Sequence, residues 1–197
     1  MKKTALFFGS FNPVHIGHLM LGNYIAEFAG VDEVRYIVSP HNPLKDRGDL
    51  LNDDIRLEML CRAISGYSKF TVSDIEFFLP KPSFTYQTLS ILSEKEPDNQ
   101  FSLVIGADNM DIFTQWKNYD QIMANYPILV YPRIGASNRV PDNYVNMTLI
   151  DAPVIEISSN FIRQSLKIGK DMRFFLPEAV YAMVKEISLF NTSFIST

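Results

Sequence analysis

The reading of the fold turns on Ala5-Leu-Phe-Phe-Gly-Ser-Phe-Asn-Pro-Val-His-Ile-Gly-His18, which runs directly into Leu19-Met-Leu-Gly-Asn-Tyr-Ile-Ala26. The opening Ala5-Leu-Phe-Phe8 is an unbroken apolar run, the pattern of a strand covered on both faces. Residues 19–26 carry apolar side chains at helical spacing instead. The break between them holds two glycines, a proline and two histidines spaced His-x-x-His. A strand-to-helix break of this kind is where a parallel sheet presents a helix N-terminus to a ligand. Unpaired backbone N–H groups and the positive end of the macrodipole point outward there.

Outward from that stretch, apolar runs alternate with helical patterns. Strands are expected at Leu6–Gly9, Val34–Val38, Phe70–Val72, Phe101–Ile105, Ile128–Tyr131 and Met147–Ile150. Helices are expected at Leu19–Phe28, Asp54–Ser65, Thr85–Glu94, Met110–Phe113, Tyr119–Ala124, Ser159–Ile168 and Pro177–Ser188. Strand and helix in turn predict a doubly wound α/β fold with a mostly parallel sheet. No repeat, low-complexity tract or long linker divides the chain, so residues 1–197 are expected to form one domain. The longest irregular stretch, Ser39–Leu51, carries Lys45 and Arg47, and its length points to a functional or mobile loop. A second, Arg133–Asn146, reads as a surface excursion.

Composition narrows the function classes. The chain has 197 residues, 47% of them apolar, enough for a sizeable core. No apolar run approaches the roughly 20 residues that span a bilayer. Met1-Lys2-Lys3-Thr4 resembles a signal n-region, but Gly9 and Asn12-Pro13 arrive too soon for an h-region, so a soluble cytoplasmic protein is expected. The single cysteine, Cys61, lies in a helical pattern and is expected in the core; it permits no intramolecular disulfide. A net charge of −4 argues against non-specific nucleic-acid binding, so an anionic ligand must be held by local cations. Nothing in the composition excludes a homo-oligomer.

The three histidines, His15, His18 and His41, all fall in the first 41 residues, in the loops after the first two expected strands. In a parallel sheet both loops lie at the carboxyl edge, where ligands bind. His-x-x-His can place two metal ligands on one face, but no nearby cysteine or carboxylate completes a set. Phosphate contact is the better reading. Gly9 ends its strand where a phosphate would approach the backbone, and Gly17 keeps side-chain bulk away from the helix start. Far along the chain, Ile157-Ser-Ser-Asn-Phe-Ile-Arg163 repeats the theme. Ser158 or Ser159 is a natural N-cap, and Arg163 lies one turn in, able to face an anion. There is neither a G-x-G-x-x-G nor a G-x-x-x-x-G-K-[ST] element, so a nucleotide would be bound in another way.

These residues carry a resemblance. Gly9–His18 resembles the G-x-F-[DN]-P-x-H-x-G-H signature of the nucleotidylyltransferase superfamily, and Ile157–Arg163 is similar to its I-S-S-x-x-I-R signature. Within the superfamily the chain looks most like the bacterial nicotinate-nucleotide adenylyltransferases. Supporting segments are Pro40-His-Asn-Pro-Leu-Lys45, Arg56-Leu-Glu-Met-Leu60, Pro82-Ser-Phe-Thr-Tyr-Gln-Thr-Leu89, Leu103-Val-Ile-Gly-Ala-Asp108 and Trp116. Ser10-Phe-Asn12 departs towards the eukaryotic nicotinamide-mononucleotide enzymes. Leu44 stands where many members have His, and Asn160 replaces a Thr.

The resemblance implies a Rossmann-like fold and adenylyl transfer from ATP to nicotinate mononucleotide, with pyrophosphate leaving. It assigns catalysis to His15, His18, Lys45 and Arg163. It assigns ATP binding to Gly9, Ser10, Phe11, Gly17, Asp108, Ser158, Ser159 and Ile162. It assigns the mononucleotide to Thr85, Tyr86, Trp116 and Lys117, with Trp116 stacking on the pyridine ring and backbone N–H groups meeting the carboxylate. Mg²⁺ would travel mainly on phosphate oxygens and water, with no dedicated metal site in the protein. The partners expected are small molecules, neither nucleic acid nor membrane. The same motifs would serve a nicotinamide-mononucleotide or phosphopantetheine adenylyltransferase, or a nucleotide-binding regulatory module.

Overall fold

The computed structural model describes residues 1–40 and 50–186. The expected site residue Lys45, and His41 with it, lie outside the described residues. The chain runs β1 (Lys2–Gly9), α1 (Ile16–Phe28), β2 (Glu33–Val38), α2 (Asp53–Ile64), β3 (Phe70–Ser73), a 3₁₀ turn (Ile75–Phe78) and α3 (Thr85–Lys95). It continues through β4 (Asn99–Gly106), α4 (Ala107–Met110), a 3₁₀ turn (Phe113–Gln115), α5 (Tyr119–Asn125), β5 (Ile128–Tyr131), β6 (Met147–Leu149), α6 (Ser159–Lys167) and α7 (Glu178–Glu186).

The six strands form one sheet in the order β3-β2-β1-β4-β5-β6, and every pairing is parallel. β1 is central, paired with β2 on one side and β4 on the other. Side chains alternate between two apolar layers, as the pleat requires. Ala5, Phe7, Val34, Tyr36, Val38 and Val104 face a layer built with α1, α2, α6 and α7. Leu6, Ile37, Leu103, Ile105, Ile128 and Val130 face the other, with α3 and α5. Helices on both faces explain why the strands read as continuous apolar runs.

The expected elements are found with shifted ends, except the helix expected at Met110–Phe113: α4 ends at Met110, and a 3₁₀ turn begins at Phe113. α1 starts at Ile16 rather than Leu19, because Gly17 and His18 weaken the apolar signal of its first turn. The 3₁₀ turn at Ile75–Phe78 gives no periodic signal, being a single turn. The expectation for Cys61 is corrected: it is exposed, because α2 turns Arg56, Met59 and Leu60 inward and leaves position 61 on the solvent side. α2 is well terminated, with Asn52 as N-cap accepting from the Asp54 N–H at 2.9 Å.

The opposite end of the sheet carries a network of charges. Glu33, buried at the start of β2, pairs with Lys2 and Arg35, and Arg35 also forks onto Glu96. Burial pushes the Glu33 carboxyl up, but hydrogen bonds from Lys2, Thr71 and Arg35 hold it below the usual carboxylate range.

Candidate functional site

The loop from Gly9 to His15 leaves the carboxyl end of the central strand and turns into α1. Gly9 is needed for packing at this turn. A Cβ there would lie 2.8 Å from the ring of Phe11, which folds back over the strand end. Phe11 is 1% exposed, edge-on to Phe7, Tyr36 and His18, and its backbone sits at φ 44°. Only its main chain can therefore meet a ligand.

His15 is the N-cap residue of α1 and His18 is its N3 residue. The two rings stack at 3.7 Å between centroids, and His18 Nδ1 accepts the His15 N–H at 3.2 Å. Gly17 makes room for this arrangement, since a Cβ there would come within 3.1 Å of both His15 and Ile155. The side chain of His15 is 3% exposed, and its Nδ1 has no hydrogen-bond partner. Burial, assisted by the charge of Arg133, lowers its pKa to about 4, so His15 is neutral at pH 7.

The helix start is less open than an unadorned N-terminus. The Ile16 N–H donates to the Phe175 carbonyl and the His18 N–H to that of His15, both at 3.0 Å. Among the described residues, nothing accepts from the Gly17 N–H. The expectation of several outward donors is thus corrected to one, together with the dipole.

α6 is tied to this loop by two side chains. Ser159 Oγ donates to the Pro13 carbonyl at 3.0 Å, and Arg163 donates to the Asn12 carbonyl at 2.8 Å. Ser158 is the N-cap and accepts from the Phe161 N–H. Asn160, in place of the Thr of related motifs, uses its amide oxygen to accept from Arg163 at 3.3 Å. Ile162 is fully buried and serves the core, so its side chain cannot meet a nucleotide.

Asp108 follows β4 in the first turn of α4 and is exposed. Its carboxylate lies so close to Gly106 that a Cβ there would fall 2.3 Å from Oδ1. Arg133, just past β5, sits 3.6 Å from Asp108 and stacks over Tyr131. Arg133 was expected only as the start of a surface loop. Its position at a strand end was the available signal.

The residues expected to meet the mononucleotide gather at two neighbouring element ends. Thr85 and Tyr86 open α3 behind Phe84, and Lys117 Nζ lies 4.4 Å above the Phe84 ring. Trp116 is half-buried, 5.5 Å from Phe113. Buried Glu76 braces this corner by accepting from Thr88 Oγ1 at 2.8 Å and Ser83 Oγ at 3.2 Å. The contacts thus fall in two groups. One gathers Gly9, Phe11, His15, Gly17, His18, Ser159 and Arg163, and the other gathers Thr85, Tyr86, Trp116 and Lys117.

Arg56 is the larger omission of the sequence reading. It is fully buried and bonded to Ser10, Ser39, Pro40, Leu51 and Asp53. Its signal was an arginine on the apolar stripe of α2 shared with Met59 and Leu60.

Residues 6–165 match the model of a family described as cytidylyltransferase-like. A protein of Bacteroides fragilis named "probable nicotinate-nucleotide adenylyltransferase" is 49% identical over 182 residues, covering 92% of this chain and 90% of that one. One of the same name from Cytophaga hutchinsonii is 47% identical over 182 residues, covering 92% and 95%. Among solved structures, Plasmodium falciparum nicotinic acid mononucleotide adenylyltransferase complexed with NaAD superposes with a TM-score of 0.78. It covers 96% of this chain and 98% of that one at 18% identity, a likeness of fold.

Proposed function

The chain belongs to the cytidylyltransferase-like family, in the group of the nicotinate-nucleotide adenylyltransferases, and on that premise we propose that it transfers the adenylyl group of ATP to nicotinate mononucleotide. The products are nicotinate adenine dinucleotide (deamido-NAD) and pyrophosphate, in NAD biosynthesis. One observation supports the reading at the site. The helix bearing Ser159 and Arg163 is bonded directly to the loop bearing His15 and His18, across 146 and 151 residues of sequence. Two helix starts converge on one loop, an arrangement suited to a polyphosphate.

A phosphate oxygen of the mononucleotide attacks the α-phosphorus of ATP. The bond to the β-phosphate oxygen breaks, and its electron pair leaves with pyrophosphate. No protein nucleophile is required, so the protein acts by positioning and charge stabilisation. In this reading His18, in the first turn of α1, contacts the α-phosphoryl oxygens. His15 presents a neutral ring with an unpartnered Nδ1 beside it. Ser10, the Phe11 main chain, Gly17, Ser158 and Ser159 line the phosphate path. Arg163 and Lys45 balance the departing pyrophosphate, and Asp108 meets the ATP ribose or its metal. Trp116 stacks on the pyridine ring, backbone N–H groups near Tyr86 and Lys117 receive its carboxylate, and Thr85 helps shape the pocket. Bound with ATP, Mg²⁺ supplies charge neutralisation. As is usual for that ion, it would be held mostly by phosphate oxygens and water.

The reading treats residues 1–197 as one catalytic domain, supported by a single sheet against whose core both α1 and α6 pack. No helix among the described residues is long and apolar enough to cross a membrane, and the use of ATP suits an enzyme of the cytoplasm. The test is pyrophosphate release with ATP, Mg²⁺ and each of nicotinate mononucleotide, nicotinamide mononucleotide and phosphopantetheine. Fastest release with the nicotinate acceptor is expected. Release with another acceptor alone, or with none, would overturn the assignment.

A further inference from the structure

Arg56 has no part in the chemistry above, yet all five N–H donors of its guanidinium are engaged. One meets the carboxylate of Asp53. The other four meet main-chain carbonyls: Ser10 at 2.6 Å, Ser39 at 2.9 Å, and Pro40 and Leu51 at 3.1 Å. Each carbonyl belongs to a segment that reaches the site. Ser10 lies in the loop between β1 and α1, Ser39 and Pro40 follow β2, and Leu51 precedes α2. Leu51 is gripped from its other side as well, because its N–H donates to Asn12 Oδ1 at 3.1 Å. Asn12 in turn offers its carbonyl to Arg163. A polar relay therefore runs from α2 to α6 through Arg56, Leu51, Asn12 and Arg163.

A trans peptide points its carbonyl and its N–H in opposite directions. With the Ser10 carbonyl drawn onto Arg56, the Phe11 N–H is turned away from Arg56. No described group accepts from it. Phe11 also holds a φ of 44°, a conformation that a bulky residue keeps only when its surroundings fix it. Its buried ring fixes one side of that backbone and Arg56 fixes the other.

We infer that Arg56 is a positioning residue of the nucleotide site: it turns the Ser10–Phe11 peptide into an outward N–H donor for a phosphate, and pins Ser39, Pro40 and Leu51 to the same loop. The inference rests on the adenylyl-transfer reading and deepens it. Lysine cannot take over, because an ammonium offers three donors in place of five in a planar fork.

The test compares wild type, Arg56→Lys and Arg56→Gln for ATP–Mg²⁺ affinity, steady-state kinetics and circular dichroism. In folded variants the Kd for ATP is expected to rise at least fivefold and kcat to fall at least tenfold. The KM for nicotinate mononucleotide should stay within threefold, a split that general loosening of the fold would not produce. Folded Arg56→Lys with Kd and kcat within threefold of wild type would overturn the inference. So would an acceptor KM that rises as steeply as the Kd for ATP. Loss of the fold in both variants would make Arg56 a folding residue alone and overturn it too. If wild type binds ATP but does not use nicotinate mononucleotide, the acceptor assignment falls, while the ATP affinities still decide the role of Arg56. A wild type that binds no ATP would overturn both.

Discussion

At the residue scale, the two histidines differ in what surrounds them and should differ in what their loss does. His18 is partly exposed at the third position of α1, whereas His15 is buried at the cap. His18→Ala is expected to lower kcat by about 10²–10³, the scale for losing one preorganised donor to a transition state. ATP affinity should change little, and titration calorimetry beside steady-state kinetics checks the pair of values. His15 makes a statement about stability. Its pKa is about 4 folded, against 6.5 for the free side chain. Below pH 6.5 the unfolded chain binds a proton that the folded chain refuses, so stability falls with pH from there down to about 4. By pH 5 the loss from this residue is about 2 kcal/mol. Urea unfolding of wild type and His15→Gln at pH 7.5 and pH 5 isolates it. Wild type should lose that much more than the variant, and equal losses would remove His15 as the source.

At the scale of elements, α1 is held at a fixed height above the sheet. A Cβ on Gly22 would fall 1.9 Å from the hydroxyl oxygen of Tyr36, which itself donates to the His18 carbonyl at 3.3 Å. Gly22→Ala must therefore lift the helix that carries both histidines, at a cost of about 3 kcal/mol. Adding Tyr36→Phe removes the nearest obstructing atom, leaving the ring carbon Cζ at 2.9 Å, and should restore part of that loss, a coupling that a double-mutant cycle measures. The acceptor corner makes a separate prediction. N–H groups that suit a carboxylate would face the NH₂ donors of a carboxamide, a mismatch that favours the acid by about tenfold to a hundredfold in kcat/KM. Trp116→Ala should slow both acceptors by the same factor, because stacking does not sense the substituent. Competition kinetics with the two mononucleotides decides it, and unequal losses would place Trp116 elsewhere.

Legibility also divides at this scale. Apolar runs located all six strands because both sheet faces are covered. The first motif was legible because glycine, proline and histidine cluster where the backbone must turn, and the second because Ser158-Ser159-Asn160 mark a helix start. Contacts made at long range left no local pattern. Neither Arg56 on Ser10 nor Arg133 beside Asp108 changes the periodicity of its own segment. Cys61 was misplaced because one residue along a helix swings the side chain by 100°, enough to leave the core.

For the whole molecule, parallel strands send every site segment to one end of the sheet and leave the other end to charges. Glu33→Gln at that far end breaks the centre of the Lys2–Glu33–Arg35–Glu96 network and is expected to cost about 3 kcal/mol. Its kcat should match wild type at temperatures where both are folded. A fall in kcat there would show that the two ends of the sheet are coupled.

The central place of β1 also bears on the order in which the protein comes into being. The loop after β1 is synthesised well before its partners: its strand needs β4 as a neighbour, and its carbonyls wait for Ser159 and Arg163, 146 and 151 residues further on. A chain emerging N-terminus first thus carries this loop without those partners until α6 has been made. Competence to bind nucleotide at this loop is expected only once α6 has docked.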